Sequence, residues 1–151
     1  MDIKDRVAII TGGGGGIGSA TARKWVAEGA RGVVVADYDE KAAHLVADEL
    51  GCVGARLDVT DEKAIAELVE ETETTLGPID IFFSNAGAGV EGGVEASNEA
   101  WQAQWELHVM SHVYAARAVL PSMTARGDGY LIHTASAAGL LAAVGSTPYS
   151  V

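Results

Sequence analysis

The sequence predicts an α/β protein built on a doubly wound parallel sheet. Three observations carry that expectation. Short apolar runs without polar alternation recur along the 151 residues, as strands buried on both faces require. Between them lie segments whose apolar residues recur at helical spacing. The first apolar run also passes directly into a loop that is almost all glycine, and the first helical pattern starts from that loop.

That first corner organises the chain. Val7, Ala8, Ile9 and Ile10 form a strand too short for a helix, and Thr11-Gly12-Gly13-Gly14-Gly15-Gly16-Ile17-Gly18 follows. Ala20, Ala22, Trp25, Val26 and Ala27 are then spaced for a helix that stops at Gly29. Without Cβ atoms the backbone can turn tightly and come close to a ligand, while the unpaired N–H groups of a helix's first turn attract an anion. A pyrophosphate suits such a corner. A second apolar run, residues 32–36, ends in Asp37. A carboxylate about twenty positions past the glycines is placed to meet a ribose 2′-hydroxyl. The alternatives are a flexible glycine hinge and a solvated turn aspartate at position 37, like Asp39.

The later elements follow in order. Ala43, Leu45, Val46 and Leu50 mark a helix over 40–50 that ends at Gly51, and 52–57 reads as a third strand opened by Cys52. Asp58-Val59-Thr60-Asp61 turns into a helix whose Ile65, Leu68, Val69 and Thr72 form one stripe, stopped by Gly77-Pro78. Residues 79–83 are a fourth strand, left through Ser84-Asn85-Ala86-Gly87. A glycine-rich loop then runs to Ser97, a helix cap. One long helix is expected from 98 to about 126, apolar on nearly every side over 109–120 and interrupted only by Ser111, His112 and Arg117. Such a helix should cover the sheet with one face and a second subunit with the other, giving a homo-oligomer through helix 98–126. A fifth strand over 130–134 follows. Strands alternating with helices imply right-handed crossovers in one domain, residues 1–151.

Composition narrows the partners. A formal charge of −11 repels phosphate backbones and anionic membranes, which excludes nucleic acid as an expected partner while leaving a dinucleotide held by backbone N–H groups. The single Cys52 forms no intrachain disulfide, no signal segment precedes Val7, and no stretch has the length of a membrane span, so a cytoplasmic protein with no membrane contact is expected. His44 and His112 lack metal-ligand spacing, and no metal is expected.

By these motifs the chain resembles the short-chain dehydrogenases/reductases. The resemblance rests on Thr11-Gly12-x-x-x-Gly16-Ile17-Gly18, Asp37, Asp58-Val59, Asn85-Ala86-Gly87 and Ser136, with Tyr149 thirteen residues later. It implies a Rossmann-like fold and transfer of a hydride between a nicotinamide and a small-molecule secondary alcohol or ketone. In that reading the glycine loop cradles the pyrophosphate, Asp37 takes the adenosine ribose, and Asp58 lies near the adenine amine. Asn85, Ala86 and Gly87 line the cofactor cleft. Tyr149 transfers the proton, and Ser136 orients the substrate oxygen. NAD is expected in preference to NADP, because Asp37 repels a 2′-phosphate and positions 12–18 carry no Lys or Arg. For Asp58 a helix-cap role is the alternative.

Three departures accompany the resemblance. The family's lysine falls four positions after the tyrosine, and Val151 stands two short of it, so we expect a dinucleotide-binding domain incomplete at its C-terminus. His108 stands where the family has an asparagine of a water-mediated proton relay; it either continues the relay or merely fills the slot. His133 and Ser84 also replace asparagines, both with structural roles expected. The rival to an enzyme is a truncated or degenerate non-catalytic module that binds a dinucleotide or only its own partners. A third possibility is an NADP-linked ketone reductase.

Overall fold

The computed structural model describes residues 2–141 and 144–150. Five parallel strands form one sheet in the order β3-β2-β1-β4-β5: β1 is Val7–Thr11, β2 Gly32–Asp37, β3 Val53–Arg56, β4 Ile81–Ser84 and β5 Tyr130–His133. The helices are α1 Gly16–Ala27, α2 Glu40–Leu50, α3 Glu62–Leu76, α4 Asn98–Trp105 and α5 Ser111–Arg126.

β1 is central, and its alternation divides the core. Val7 and Ile9 join Val34, Phe82, Ile65 and Val69 beneath α3 and α5, together with Ala115, Val119 and Met123. Ile10 faces the other way, with Val33, Val35 and Phe83 against Ala22 of α1 and Ala43, Val46 and Ala47 of α2. Every residue of β1 and β4 is buried, which is why their sequences show no polar alternation. Each fully buried Val, Ile or Phe contributes about 1.5–3 kcal/mol relative to exposure.

Helix ends follow local chemistry. Asp39 accepts N–H bonds from Lys41 and Ala42 and so caps α2, while Asp61 accepts from Lys63 and Ala64 and caps α3. The cap therefore belongs to Asp61; Asp58 instead accepts the Thr60 N–H at 3.0 Å and the Thr60 hydroxyl at 2.7 Å, which corrects its alternative cap role. Asp39 is likewise a cap and not merely a solvated turn residue.

The base of the sheet is tied by charge. Asp80 is buried, accepts the Val7 N–H at 2.9 Å, and pairs with Arg6 and Arg126. Arg6 also bonds Asp128, whose carboxyl it holds below the usual carboxylate range.

The long helix departs from the expectation of one regular helix. Between α4 and α5 a π-helical turn spans Glu106–Met110, with His108 at its centre. Wide turns of this kind shift the helical register and often occur at functional sites. Ser111 donates its hydroxyl to the Leu107 carbonyl at 2.6 Å and Tyr114 to Glu106 at 3.2 Å, bonds that fasten the turn. Nor is α5 buried on all sides: Ser111, Ala115, Val119 and Met123 form one buried stripe, while Leu120 is 44% exposed and Trp105 of α4 51%.

Candidate active site

A cleft of about 1080 Å³ opens at the C-terminal ends of the strands, over the boundary between β1 and β4. There the connections diverge to the two sides of the sheet, the usual ligand crevice of an open α/β fold. The glycine corner forms one wall through Gly12, Gly15, Gly16 and Ile17. Gly12 has φ +63°, and a Cβ there would stand 2.9 Å from the Ala86 Cα. Gly18 lies outside the cleft, where a Cβ would strike the Gly12 carbonyl, so its bare backbone lets α1 start directly beneath the loop. Gly18→Val is accordingly expected to destabilise the fold by about 2–3 kcal/mol. A denaturation midpoint equal to that of the parent chain would refute this packing role.

Thr11 also stands behind the cleft. Its hydroxyl oxygen accepts the N–H groups of Asn85 and Ala86 at 3.0 and 3.1 Å, tying the end of β1 to the loop after β4. Asn85 donates its amide to the Thr11 carbonyl at 3.1 Å and accepts the Thr134 hydroxyl at 2.8 Å, so its orientation is determined from both sides. Thr134 is a cleft residue that sequence reasoning missed. Asn85, Ala86 and Gly87 themselves line the cleft.

Asp37 reaches the cleft from the end of β2. One of its carboxylate oxygens accepts the Gly14 N–H at 2.9 Å and the other the Asp39 N–H at 3.0 Å. Asp58 and Val59 line the same end, with Tyr38 beside them, and the Arg56 guanidinium lies 5.4 Å from the centre of the Tyr38 ring.

At the opposite end stand Ser136, His108 and Tyr149. Ser136 follows β5 and accepts the Ala138 N–H at 3.1 Å, which leaves its hydroxyl hydrogen available to a ligand. The His108 ring meets the Tyr149 ring edge to face, centroids 5.1 Å apart. His108 Nε2 lies 3.0 Å from the Ala88 carbonyl. A carbonyl only accepts, so Nε2 carries the hydrogen, and in the neutral ring Nδ1 is an acceptor that bonds no group among the described residues. Gly87 makes room for this ring, since a Cβ there would lie 2.8 Å from His108 Cε1.

Two further imidazoles line this end. His112, one turn beyond His108, stacks on His133 of β5 with centroids 4.6 Å apart, a pairing the sequence did not disclose. Burial, then the nearby His133 and His108, holds the His112 imidazole below its ordinary value of 6.5. Protons therefore bind the unfolded chain more readily at this site. The stability it carries is full above that ordinary value and is lost as pH falls from there through the lowered folded one. His112→Gln is expected to flatten the decline of the thermal midpoint as pH falls below the ordinary imidazole value of 6.5. Identical slopes in parent and variant would contradict this account.

The glycine corner, the carboxylate at the end of β2 and the crevice at the strand reversal define an α/β protein of Rossmann-like architecture. Comparison with known proteins narrows the class. The short chain dehydrogenase family pattern matches residues 6–151. The chain belongs to this family of oxidoreductases. It is 33% identical to an uncharacterized oxidoreductase of Staphylococcus saprophyticus, over 99% of this chain and 67% of that protein. It is 36% identical to 1-deoxy-11-beta-hydroxypentalenate dehydrogenase of Streptomyces exfoliatus, over 99% of this chain and 58% of that one. Meso-2,3-butanediol dehydrogenase of Serratia marcescens is 35% identical, over 93% and 57%. A short-chain dehydrogenase/reductase from Burkholderia phymatum, whose crystal structure is in complex with NAD, superposes with a TM-score of 0.93 at 31% identity, over 99% of this chain and 56% of that one. The chain thus spans roughly half to two-thirds of the length of these relatives.

Proposed function

We propose that the chain forms the cofactor-binding and proton-transferring part of an NAD-dependent oxidoreductase acting on a secondary alcohol or ketone. One observation carries the reading: the glycine corner and Asp37 line the same cleft as Ser136, His108 and Tyr149. The residues fit a dinucleotide. Space is open where Cβ atoms at Gly15 and Gly16 would stand, and the first-turn N–H groups of α1 have no carbonyl within the helix to bond. Gly12, Gly16 and Ile17 would hold the pyrophosphate, with Thr11 and Gly18 shaping the corner from behind. Asp37 would bind the adenosine ribose, Asp58 and Val59 would border the adenine, and Asn85 to Gly87 would flank the nicotinamide side.

When bound, the cofactor supplies the acceptor or donor of a hydride. The chain's own residues deal with the proton. In alcohol oxidation the Tyr149 oxygen, as phenolate, would take the hydroxyl proton as the carbon gives up its hydride, and the Ser136 hydroxyl would donate to the substrate oxygen. His108 Nδ1 bonds no group among the described residues and would accept a bridging water, and the ring stands against that of Tyr149, which favours a relay role over mere slot filling. NAD is preferred to NADP because the Asp37 carboxylate would face a 2′-phosphate. Trp105 and Leu120, exposed on α4 and α5, support a homo-oligomer through these two helices. No described helix is long and apolar enough to cross a membrane, and the free Cys52 suits a reducing cytoplasm.

The test is steady-state NADH formation from a panel of acyclic and cyclic secondary alcohols, with NADP in parallel. Turnover with NAD supports the proposal. Dinucleotide binding without turnover would favour the non-catalytic module, and faster turnover with NADP would favour the phosphorylated cofactor.

A further inference from the structure

Tyr149 sits on a segment that is anchored to the loop after β4. Gly92 in the loop after β4 pairs in parallel with Ser146. The Gly92 N–H donates to the Gly145 carbonyl at 2.8 Å, and the Thr147 N–H donates to the Gly92 carbonyl at 2.8 Å. A side chain completes the attachment: the Ser146 hydroxyl donates to the Val90 carbonyl at 2.6 Å. On the far side, the Ser150 hydroxyl donates to the Ser146 carbonyl at 3.0 Å, and the Ser150 N–H closes the turn Thr147–Tyr149 on the Thr147 carbonyl at 3.0 Å. Pro148, beside the tyrosine, is buried.

The cleft wall formed by Gly87, Ala88 and Gly89 therefore continues within a few residues into the point that holds the tyrosine turn. The same wall receives His108 through the Ala88 carbonyl. The tyrosine turn and the His108 ring are thus both bonded to one loop. Among the described residues, the Ser146–Val90 bond is the one between the two segments made by a side chain, so substitution can remove it while the backbone pairing remains.

We propose that Ser146 is a positioning residue for Tyr149, its hydroxyl anchoring the tyrosine turn to the Val90 carbonyl so that the phenol stays registered against His108 and the cleft. This rests on the catalytic reading of Tyr149 given above. A displacement of about 1 Å in a reacting group can cost about a hundredfold in rate, and one of three bonds is lost here, so a smaller effect follows.

The experiment compares Ser146→Ala, Ser146→Thr and Tyr149→Phe with the parent chain, by steady-state kinetics and by backbone amide exchange. Ser146→Ala is expected to lower kcat about tenfold, with KM for NAD within about twofold of the parent. Ser146→Thr, which keeps the hydroxyl, is expected to recover most of the loss. In exchange, the Gly92 and Thr147 amides should lose protection in Ser146→Ala while Val33, Val34 and Val35 in the sheet keep theirs. A kcat within about twofold of the parent, or a loss that threonine does not recover, overturns the proposal. Should the parent show no turnover dependent on Tyr149, the catalytic reading fails; unchanged Gly92 and Thr147 exchange in Ser146→Ala would separately refute the anchor.

Discussion

Tyr149→Phe is expected to lower turnover about a hundred- to ten-thousandfold while leaving the Kd for NAD within about twofold of the parent. The substitution removes one oxygen and keeps the ring. The edge-to-face contact with His108 and the turn around buried Pro148 should therefore survive. What disappears is the atom that takes or gives the alcohol proton, an effect worth about 10²–10⁴ when a positioned acid–base group is lost. Ser136 would still donate to the substrate oxygen, but its hydroxyl alone offers no equivalent path for the proton. The check is paired: kcat from NADH absorbance and Kd from calorimetric titration of the same preparations. Turnover within about tenfold of the parent would remove Tyr149 from the chemistry.

Asp37→Asn is expected to act on cofactor choice. Two like charges about 6 Å apart at an effective dielectric of about 20 repel by about 3 kcal/mol, close to a hundredfold in affinity. The parent should therefore bind NAD about a hundredfold more tightly than NADP, and the asparagine variant less than about tenfold. The amide keeps an oxygen for either the Gly14 or the Asp39 N–H, so loss of charge and not of fold dominates the change. Titration of both proteins with both cofactors decides it. An unchanged ratio would show that Asp37 does not face the 2′-position.

The part of this architecture that local chemistry controls was legible before any coordinates. The apolar runs around Ile9 and Val34 could only be doubly covered strands, and Gly12 and Gly18 meet steric demands that no side chain satisfies. The helix after β2 keeps its expected limits because Asp39 and Gly51 are cap residues in their own right. Strand lengths were less legible: β3 begins at Val53, because the Cys52 N–H bonds the Ala47 carbonyl of α2, and β4 begins at Ile81.

Features made by contacts between distant segments could not be read. The π turn at His108 is local, fastened by bonds four and eight residues apart, but apolar spacing alone describes one regular helix. The His112–His133 stack and the Thr134–Asn85 bond join elements far apart in the chain, and their residue types have many other uses. The candidate site was legible to the extent that motifs mark it, through Ser136, Tyr149 and Asp37. The bonds that hold those residues in register were not.

The most direct test of the central claim is transfer of label from a secondary alcohol deuterated at its carbinol carbon, incubated with the purified chain and NAD and followed by mass spectrometry of the recovered cofactor. We predict one deuterium on the reduced cofactor, formed by the parent and absent with Tyr149→Phe. Cofactor that binds in the cleft and is recovered unlabelled from both proteins, across the alcohol panel, would contradict the account.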